Sequence, residues 1–159
     1  YWLIEGTLAG CSLPGRRGPG EGAASDVGTL DGDLAALRER GIGALLTLTE
    51  QALPAEALAR HGLVALHLPV VDMQPPEPDE LARALAFIDL QRAHGRAVAV
   101  HCLMGQGRTG TVLAAYLVRA GATGQQALEQ VRAVCPGAVG TLGQERAVEA
   151  FARRRDWVL

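Results

Sequence analysis

Short apolar runs alternate with segments of helical periodicity along most of the chain, and this alternation limits the fold more than any other feature. The runs that predict β-strands are residues 2–4, 44–49, 63–70 and 97–100. The segments that predict helices are residues 33–40, 54–61, 78–94, 109–120, 124–134 and 141–157. Strands that alternate with helices and end in a helical tail predict a three-layer α/β domain, in which helices flank a mainly parallel central sheet of about four to five strands.

The length and composition of the chain suit one domain over residues 1–159. Its hydrophobic fraction is 48% and its charged fraction is 20%, close to the values of ordinary globular proteins. The segment 109–120 is apolar almost all round, so we expect a buried central helix there. No apolar run approaches the length that crosses a bilayer, and we therefore expect no membrane partner.

The net charge and the cysteine content indicate which partners and which cellular compartment to expect. The net charge is −2, and all fifteen basic residues are arginine. A nearly neutral chain without a basic stripe argues against nucleic acid as a partner. Three cysteines are an odd and small number, which does not suggest a disulfide framework and favours a reducing, cytoplasmic compartment. We expect a monomer.

The segment HCLMGQGRTG, residues 101–110, joins the last predicted strand to the most apolar helix. Ligands of open α/β sheets bind at the carboxyl ends of strands, and a helix N-terminus offers free N–H groups and a positive dipole end to an anion. Glycines let such a loop curl until successive N–H groups converge on one tetrahedral anion, and an arginine can grip two of its oxygens. The residues predicted to bind phosphate are Leu103, Met104, Gly105, Gln106, Gly107 and Arg108.

The same positive field favours the thiolate form of Cys102, and a thiolate aimed at a bound phosphate predicts phosphoryl transfer to sulfur. The alternative is a buried structural cysteine.

A poor leaving group also needs a general acid, and water must later be activated. Asp72 is the candidate because it follows the strand 63–70 at the same edge of the sheet; the alternative is an aspartate that only caps its loop. Glu77 and Asp79 are better explained by their positions at a helix start.

Thr109 and His101 belong to the same segment, and the sequence suggests alternative roles for each. The Thr109 hydroxyl either stabilises the sulfur as a leaving group or serves only the first helical turn. His101 precedes the nucleophile on the strand, so we expect a buried, hydrogen-bonded histidine that orders the loop rather than a base. The spacing from Cys11 to Arg17 imitates that of the signature, but Pro14 removes an N–H donor and no helix begins after it. We reject that second match.

The segment 101–110 resembles the signature loop of the cysteine-dependent protein tyrosine phosphatases, specifically of the atypical dual-specificity class. The likeness extends to residues 1–4, 8–10, 48–50, the proline-rich loop at Asp72, and 132–148. It implies a phosphotyrosine protein phosphatase-like fold, with Cys102 as nucleophile, Arg108 as phosphate binder, and Asp72 as general acid and base. It also gives Gln144 a part in placing the hydrolytic water, although a glutamine on a polar helix face is ordinarily just solvated.

These observations together predict a phosphatase that needs neither metal nor cofactor and forms a cysteinyl-phosphate intermediate. Its expected substrates are phosphotyrosine in proteins, with phosphoserine and phosphothreonine as a further class. Alternatives are the same mechanism on a phosphoinositide, an inositol phosphate or an RNA 5′-phosphate, and a silent phosphate-binding module. The neutral Gln106 counts against a multiply phosphorylated lipid.

Two departures from the family pattern bear on the pocket rim: the loop 15–25 is longer than in small relatives, and Gly140 stands where a larger polar residue is expected.

Overall fold

The computed structural model describes residues 1–16 and 27–154, and a β-sheet lies at its centre. The strands in these ranges are β1 (Trp2–Ile4), β2 (Leu8–Cys11), β3 (Ile42–Thr47), β4 (Val64–His67) and β5 (Ala97–His101). Their order across the sheet is β1-β2-β5-β3-β4. The first pair, β1 with β2, is antiparallel, and the other three pairs are parallel. The prediction of an α/β fold with a mainly parallel sheet is therefore confirmed.

Helices cover both faces of this sheet. They are α1 (Val27–Glu39), α2 (Ala55–Arg60), α3 (Pro78–Ala93), α4 (Gly107–Arg119), α5 (Gly124–Val134) and α6 (Leu142–Arg153). Helices α1 and α2 pack against one face, and α3 to α6 share a larger apolar core with the other face. None of the helices in the described ranges is long and apolar enough to span a membrane.

The central strand β5 shows why the core has two sides. Val98 and Val100 belong to the larger core, whereas Ala97 and Ala99 face the smaller one. Successive side chains of a strand point to opposite faces, so a strand covered by helices on both sides is apolar throughout. Helix α4 packs directly behind β5 and buries most of its residues, as the apolar pattern predicts.

The structure differs from the sequence-based prediction at several element ends. Strand β2 was not predicted; it is four residues long and lies between its local antiparallel partner β1 and the distant parallel strand β5. Strand β4 ends at His67, three residues earlier than predicted, although the N–H groups of Leu68 and Val70 still donate to the Thr47 and Leu48 carbonyl oxygens. Helix α4 begins two residues earlier than predicted, so Arg108 lies in its first turn. Residues 17–25 of the predicted loop 15–25 lie outside the described residues, as do residues 155–157 of the last predicted helix.

Candidate active site

The loop between β5 and α4 forms a backbone cradle at the carboxyl end of the sheet. Cys102 lies at its start and is only 3% exposed. Gly105 has a φ of +73°, and a Cβ placed there would lie 2.6 Å from the carbonyl carbon and oxygen of Cys11. Both the backbone conformation and the close approach therefore require glycine at this position.

The amide groups of this loop are available to an anion. Within the described residues, the N–H groups of residues 103–107 make no hydrogen bond to another group of the protein. Helix α4 starts at Gly107, so the first N–H groups of the helix and its positive dipole end face the same cradle. The arrangement matches what a tetrahedral dianion requires, and it includes all six residues predicted to bind phosphate.

Arg108 is the fixed cation of the site. Its side chain is 2% exposed, and Nη1 donates to the Val70 carbonyl oxygen at 2.8 Å. The same nitrogen lies 3.2 Å from Glu50 Oε2, and Nη2 lies 2.9 Å from Asp72 Oδ1. The guanidinium is thus held in one orientation by a buried carbonyl group and two carboxylates. The predicted acid and the predicted phosphate binder are neighbours in the structure.

Glu50 is a site residue that the sequence analysis missed. Besides its contact with Arg108, its Oε1 accepts the backbone N–H of Asp72 at 2.8 Å. The hydrogen bond from its own backbone N–H, the one from Asp72, and Arg108 hold the pKa of Glu50 below its ordinary value. Glu50 therefore links Arg108 to the loop that carries Asp72. The sequence signals at Glu50 were its position just beyond a buried strand and its place in the family likeness at residues 48–50, and neither indicated a contact with Arg108.

His101 is fully buried behind the cradle, as expected. Its Nδ1 lies 3.2 Å from the Cys102 carbonyl oxygen and its Nε2 lies 2.8 Å from Thr47 Oγ1. A carbonyl oxygen can only accept, so Nδ1 carries the proton and Nε2 accepts from the threonine hydroxyl. Burial lowers the pKa of His101 to about 4, and the nearby Arg108 acts in the same direction. His101 is accordingly neutral near pH 7 and fixes the carbonyl group of Cys102.

The predicted hydrogen bond between Thr109 and the Cys102 sulfur is not made in the structure. Thr109 Oγ1 is buried and has no hydrogen-bond partner among the described residues. A helical threonine often donates to the carbonyl four residues earlier, as Thr111 does to Gly107 at 2.8 Å. For Thr109 that carbonyl belongs to Gly105, which already accepts from the Tyr1 hydroxyl at 2.7 Å. The Thr109 hydroxyl therefore remains available beside the cradle.

Gln144 is buried rather than solvated, so the ordinary expectation for a glutamine on a polar helix face is wrong here. It is 1% exposed and closes the N-terminal turn of α6, where its Oε1 accepts from the Thr141 N–H at 3.2 Å. Its Nε2 donates to the Gln74 carbonyl oxygen at 3.3 Å, and Thr141 Oγ1 donates to the Met73 carbonyl oxygen at 3.3 Å. The start of α6 thus holds the loop that carries Asp72 against the active-site cleft.

Two further residues support the cradle through the Gly105 carbonyl group, and the sequence suggested this contact for neither of them. Tyr1 donates its hydroxyl hydrogen to the Gly105 carbonyl oxygen, and the Cys135 thiol approaches the same oxygen at 3.9 Å. Burial raises the pKa of Tyr1, which keeps the phenol protonated as a donor. Burial likewise raises the pKa of the Cys11 thiol to about 12. Cys11 is therefore a protonated thiol at neutral pH, which agrees with its rejection as a nucleophile.

The cleft above the cradle has a volume of about 230 Å³. Cys102 and Arg108 lie at its floor, and Asp72 lies at its edge with its side chain 55% exposed. Gly140, where a larger polar residue was expected, lines the rim beside Thr141 without contributing a side chain. Among the described residues that line this cleft, Arg108 is the only basic one. No group of three or more His, Cys, Asp or Glu side chains in residues 1–16 and 27–154 could hold a metal ion.

Sequence comparisons relate the chain to known phosphatases. A family model described as "Tc-R-P: Polymorphic toxin system, DSP-PTPase phosphatase" matches residues 20–122. Dual specificity protein phosphatase 12 of Rattus norvegicus is 38% identical over 120 residues, which are 72% of this chain and 34% of the rat protein. Phosphatidylglycerophosphate phosphatase PTPMT2 of Arabidopsis thaliana is 29% identical over 126 residues, which are 76% of this chain and 55% of the plant protein. The chain thus spans about a third to a half of the length of these relatives.

Solved structures give the same relationship. Tk-PTP in its active form has a TM-score of 0.73 at 30% identity, covering 78% of this chain and 86% of that chain. Kinase associated phosphatase, with a TM-score of 0.79 at 21% identity, covers 95% of this chain and 86% of its own and supports the fold alone. The family model, the Tk-PTP relative and the cradle geometry agree, and the chain therefore belongs to the atypical dual-specificity phosphatase family.

Proposed function

We propose that this chain hydrolyses phosphotyrosine, and to a lesser extent phosphoserine and phosphothreonine, in proteins without a metal ion. The observation that carries the proposal is the convergence of three groups at one cleft: the sulfur of Cys102, the guanidinium of Arg108 and the carboxyl group of Asp72. A protein that only bound phosphate would need the cradle and the arginine, but neither a nucleophile nor an acid.

In the first step, Cys102 Sγ attacks phosphorus as a thiolate and forms a sulfur–phosphorus bond. The phosphorus–oxygen ester bond breaks, and Asp72 transfers its proton to the leaving oxygen. In the structure Asp72 Oδ1 forms an ion pair with Arg108 Nη2 at 2.9 Å. When phosphate oxygens bind Arg108 Nη2 instead, the carboxyl group of Asp72 would be free to contact the leaving oxygen. Glu50 and Val70 would still hold Arg108 Nη1.

In the second step, water attacks phosphorus, and Asp72, now a carboxylate, accepts a proton from that water. The sulfur–phosphorus bond breaks and returns its electron pair to Cys102. The hydroxyl of Thr109, which is buried without a partner among the described residues, supports a hydrogen bond to the departing thiolate. The side-chain amide of Gln144 lines the same cleft, which supports a part in placing the water.

The compartment and oligomeric state belong to the same proposal. Cys11, Cys102 and Cys135 are all free thiols, which supports a reducing, cytoplasmic environment. We expect a monomer there.

A phospholipid monoester is the second candidate substrate. Two relatives are named phosphatidylglycerophosphate phosphatases, and two exposed apolar side chains, Met73 at 62% and Met104 at 51%, stand at the mouth of the cleft. Exposed apolar side chains at the mouth of a cleft suit either an acyl chain or an apolar peptide segment.

A phosphate-release panel in chelator-treated buffer tests the proposal. The substrates are phosphotyrosine, phosphothreonine and phosphoserine peptides, a soluble phosphoinositide and a micellar phosphatidylglycerophosphate, with Cys102→Ser as the blank. We expect the highest kcat/KM on phosphotyrosine peptides and no release by the variant. A higher kcat/KM on either lipid would replace the protein substrate, and release that survives Cys102→Ser would overturn the mechanism.

A further inference from the structure

A second cleft, of about 580 Å³, opens beside the phosphate cradle. Its walls come from the chain after β2, from α1, and from the segment 49–54 after β3. The residues that line both clefts are Asp72, Leu103 and Arg108. The two clefts therefore meet at the point where the phosphate would be held. A volume in the range of roughly 300–1,000 Å³ is usual for a ligand pocket.

Seven of the twelve described residues that line the second cleft are apolar. Leu30 is buried, Leu13 and Leu53 are half-buried, and Ala52 lies exposed at the edge. The polar Thr49 contributes no unpaired hydroxyl, because its Oγ1 donates to the Gln51 carbonyl oxygen at 2.7 Å. An apolar side chain entering the cleft would bury apolar area without leaving this threonine unpartnered.

Charge at the junction of the two clefts selects against a second anion. Glu50 is 52% exposed and Asp72 is 55% exposed, and both carboxylates stand at this junction. Among the described residues that line either cleft, Arg108 is the only basic one, and it is buried. One phosphate can use Arg108 and the N–H groups of the loop. A second phosphate or an acidic side chain beside it would face carboxylates rather than cations.

We propose that the second cleft is a specificity subsite for an apolar side chain next to the phosphorylated tyrosine of a singly phosphorylated protein segment. The inference rests on the proposed function, because it places the phosphotyrosine itself in the cradle. It adds the substrate class: segments with apolar rather than acidic neighbours of the phosphotyrosine.

Paired peptides test the subsite. Each pair carries one phosphotyrosine, with either leucine or aspartate at the same neighbouring position, and free phosphotyrosine reports the chemistry without the subsite. For the wild type we expect kcat/KM to be about tenfold higher for the leucine peptide at one neighbouring position, as for a modest apolar contact in a pocket.

Two variants test whether the preference for the leucine peptide arises in this cleft. Ala52→Trp fills the cleft from its exposed edge, and Leu53→Asn makes its wall polar. Each should bring the leucine and aspartate peptides to within about twofold of each other, while the kcat/KM for free phosphotyrosine stays at the wild-type value. Leu90→Asn on α3 is the matched control, because Leu90 is 54% exposed and lines neither cleft. It should keep the full preference.

The outcomes separate the inference from the proposed function. Equal kcat/KM for leucine and aspartate peptides in an enzyme that hydrolyses phosphotyrosine would overturn the subsite and leave the function intact. A preference that survives both Ala52→Trp and Leu53→Asn would also overturn it. A kcat/KM on micellar phosphatidylglycerophosphate above that on the leucine peptide would assign the cleft to an acyl chain instead. Absence of Cys102-dependent turnover on every phosphopeptide would overturn the proposed function.

Discussion

Acidification from about pH 8 to about pH 5 is expected to cost the fold about 2 kcal/mol through His101 alone. The pKa of His101 is about 4 in the folded protein, against 6.5 for an ordinary histidine. Between these values the unfolded chain binds a proton that the folded protein does not bind. The contribution of neutral His101 to stability is therefore complete above about pH 6.5 and falls as the pH drops toward 4.

The magnitude follows from the two proton affinities. A tenfold difference in proton affinity between the folded and unfolded states corresponds to about 1.4 kcal/mol. Near pH 5 most of the unfolded chain is protonated at this histidine and little of the folded protein is, which gives about 2 kcal/mol. Full protonation below about pH 4 would raise the loss to about 3 kcal/mol. The physical cause is burial, which removes the solvent that would stabilise a charged imidazole, and the nearby positive charge of Arg108 adds to it.

Urea unfolding at a series of pH values measures this loss, with the free energy extrapolated to water at each pH. His101→Asn removes the titrating group and retains an N–H donor for the Cys102 carbonyl group. Its stability should fall by about 2 kcal/mol less than that of the wild type over the same pH range. His94→Asn, at an exposed histidine that follows α3, is the control and should follow the wild type. Parallel curves for His101→Asn and the wild type would refute the reasoning, whatever the constant offset between them.

Two further predictions concern the cradle and the acid. Gly105→Ala should weaken vanadate binding more than tenfold by calorimetry, because its Cβ would clash with the Cys11 carbonyl group. Gly62→Ala, which has a similar φ of +64° but nothing within 4 Å, should lose stability and keep vanadate affinity; equal losses of affinity would contradict the steric argument. Asp72→Asn should lower kcat on phosphoserine peptides by about 10²–10⁴-fold and on p-nitrophenyl phosphate far less, because p-nitrophenolate leaves without a proton. Equal losses on both substrates would remove Asp72 from the acid role.

The sequence predicted most accurately the features that depend on neighbouring residues. The cradle lies within one strand–loop–helix segment, so its glycines, Cys102 and Arg108 could be recognised together. Helix α5 was predicted to the residue, because Thr123 forms its N-terminal cap and a regular apolar face follows. The larger features of the fold followed from the alternation of strands and helices.

The features that the sequence did not reveal depend on contacts between distant residues. Strand β2 is short, and besides its local pairing with β1 it pairs along its whole length with β5, about ninety residues away. Glu50 belongs to the active site because it contacts Arg108, which lies 58 residues later in the chain. Tyr1 contacts Gly105, which lies 104 residues later. Gln144 is buried because α6 packs its first turn against the loop of Asp72, and no local pattern shows that packing.

The most direct test of the account is to find the phosphoryl group on the enzyme. Wild type and Asp72→Asn are mixed with p-nitrophenyl phosphate, whose leaving group needs no proton, then quenched in acid within the turnover time, digested and analysed by mass spectrometry, with Cys11→Ser and Cys135→Ser as matched cysteine controls. The account predicts a phosphorylated peptide that contains Cys102, more abundant in Asp72→Asn because water activation is slowed, unchanged in both cysteine controls and absent from Cys102→Ser. Turnover without any phosphocysteine, or a phosphoryl group on a residue other than Cys102, would contradict it.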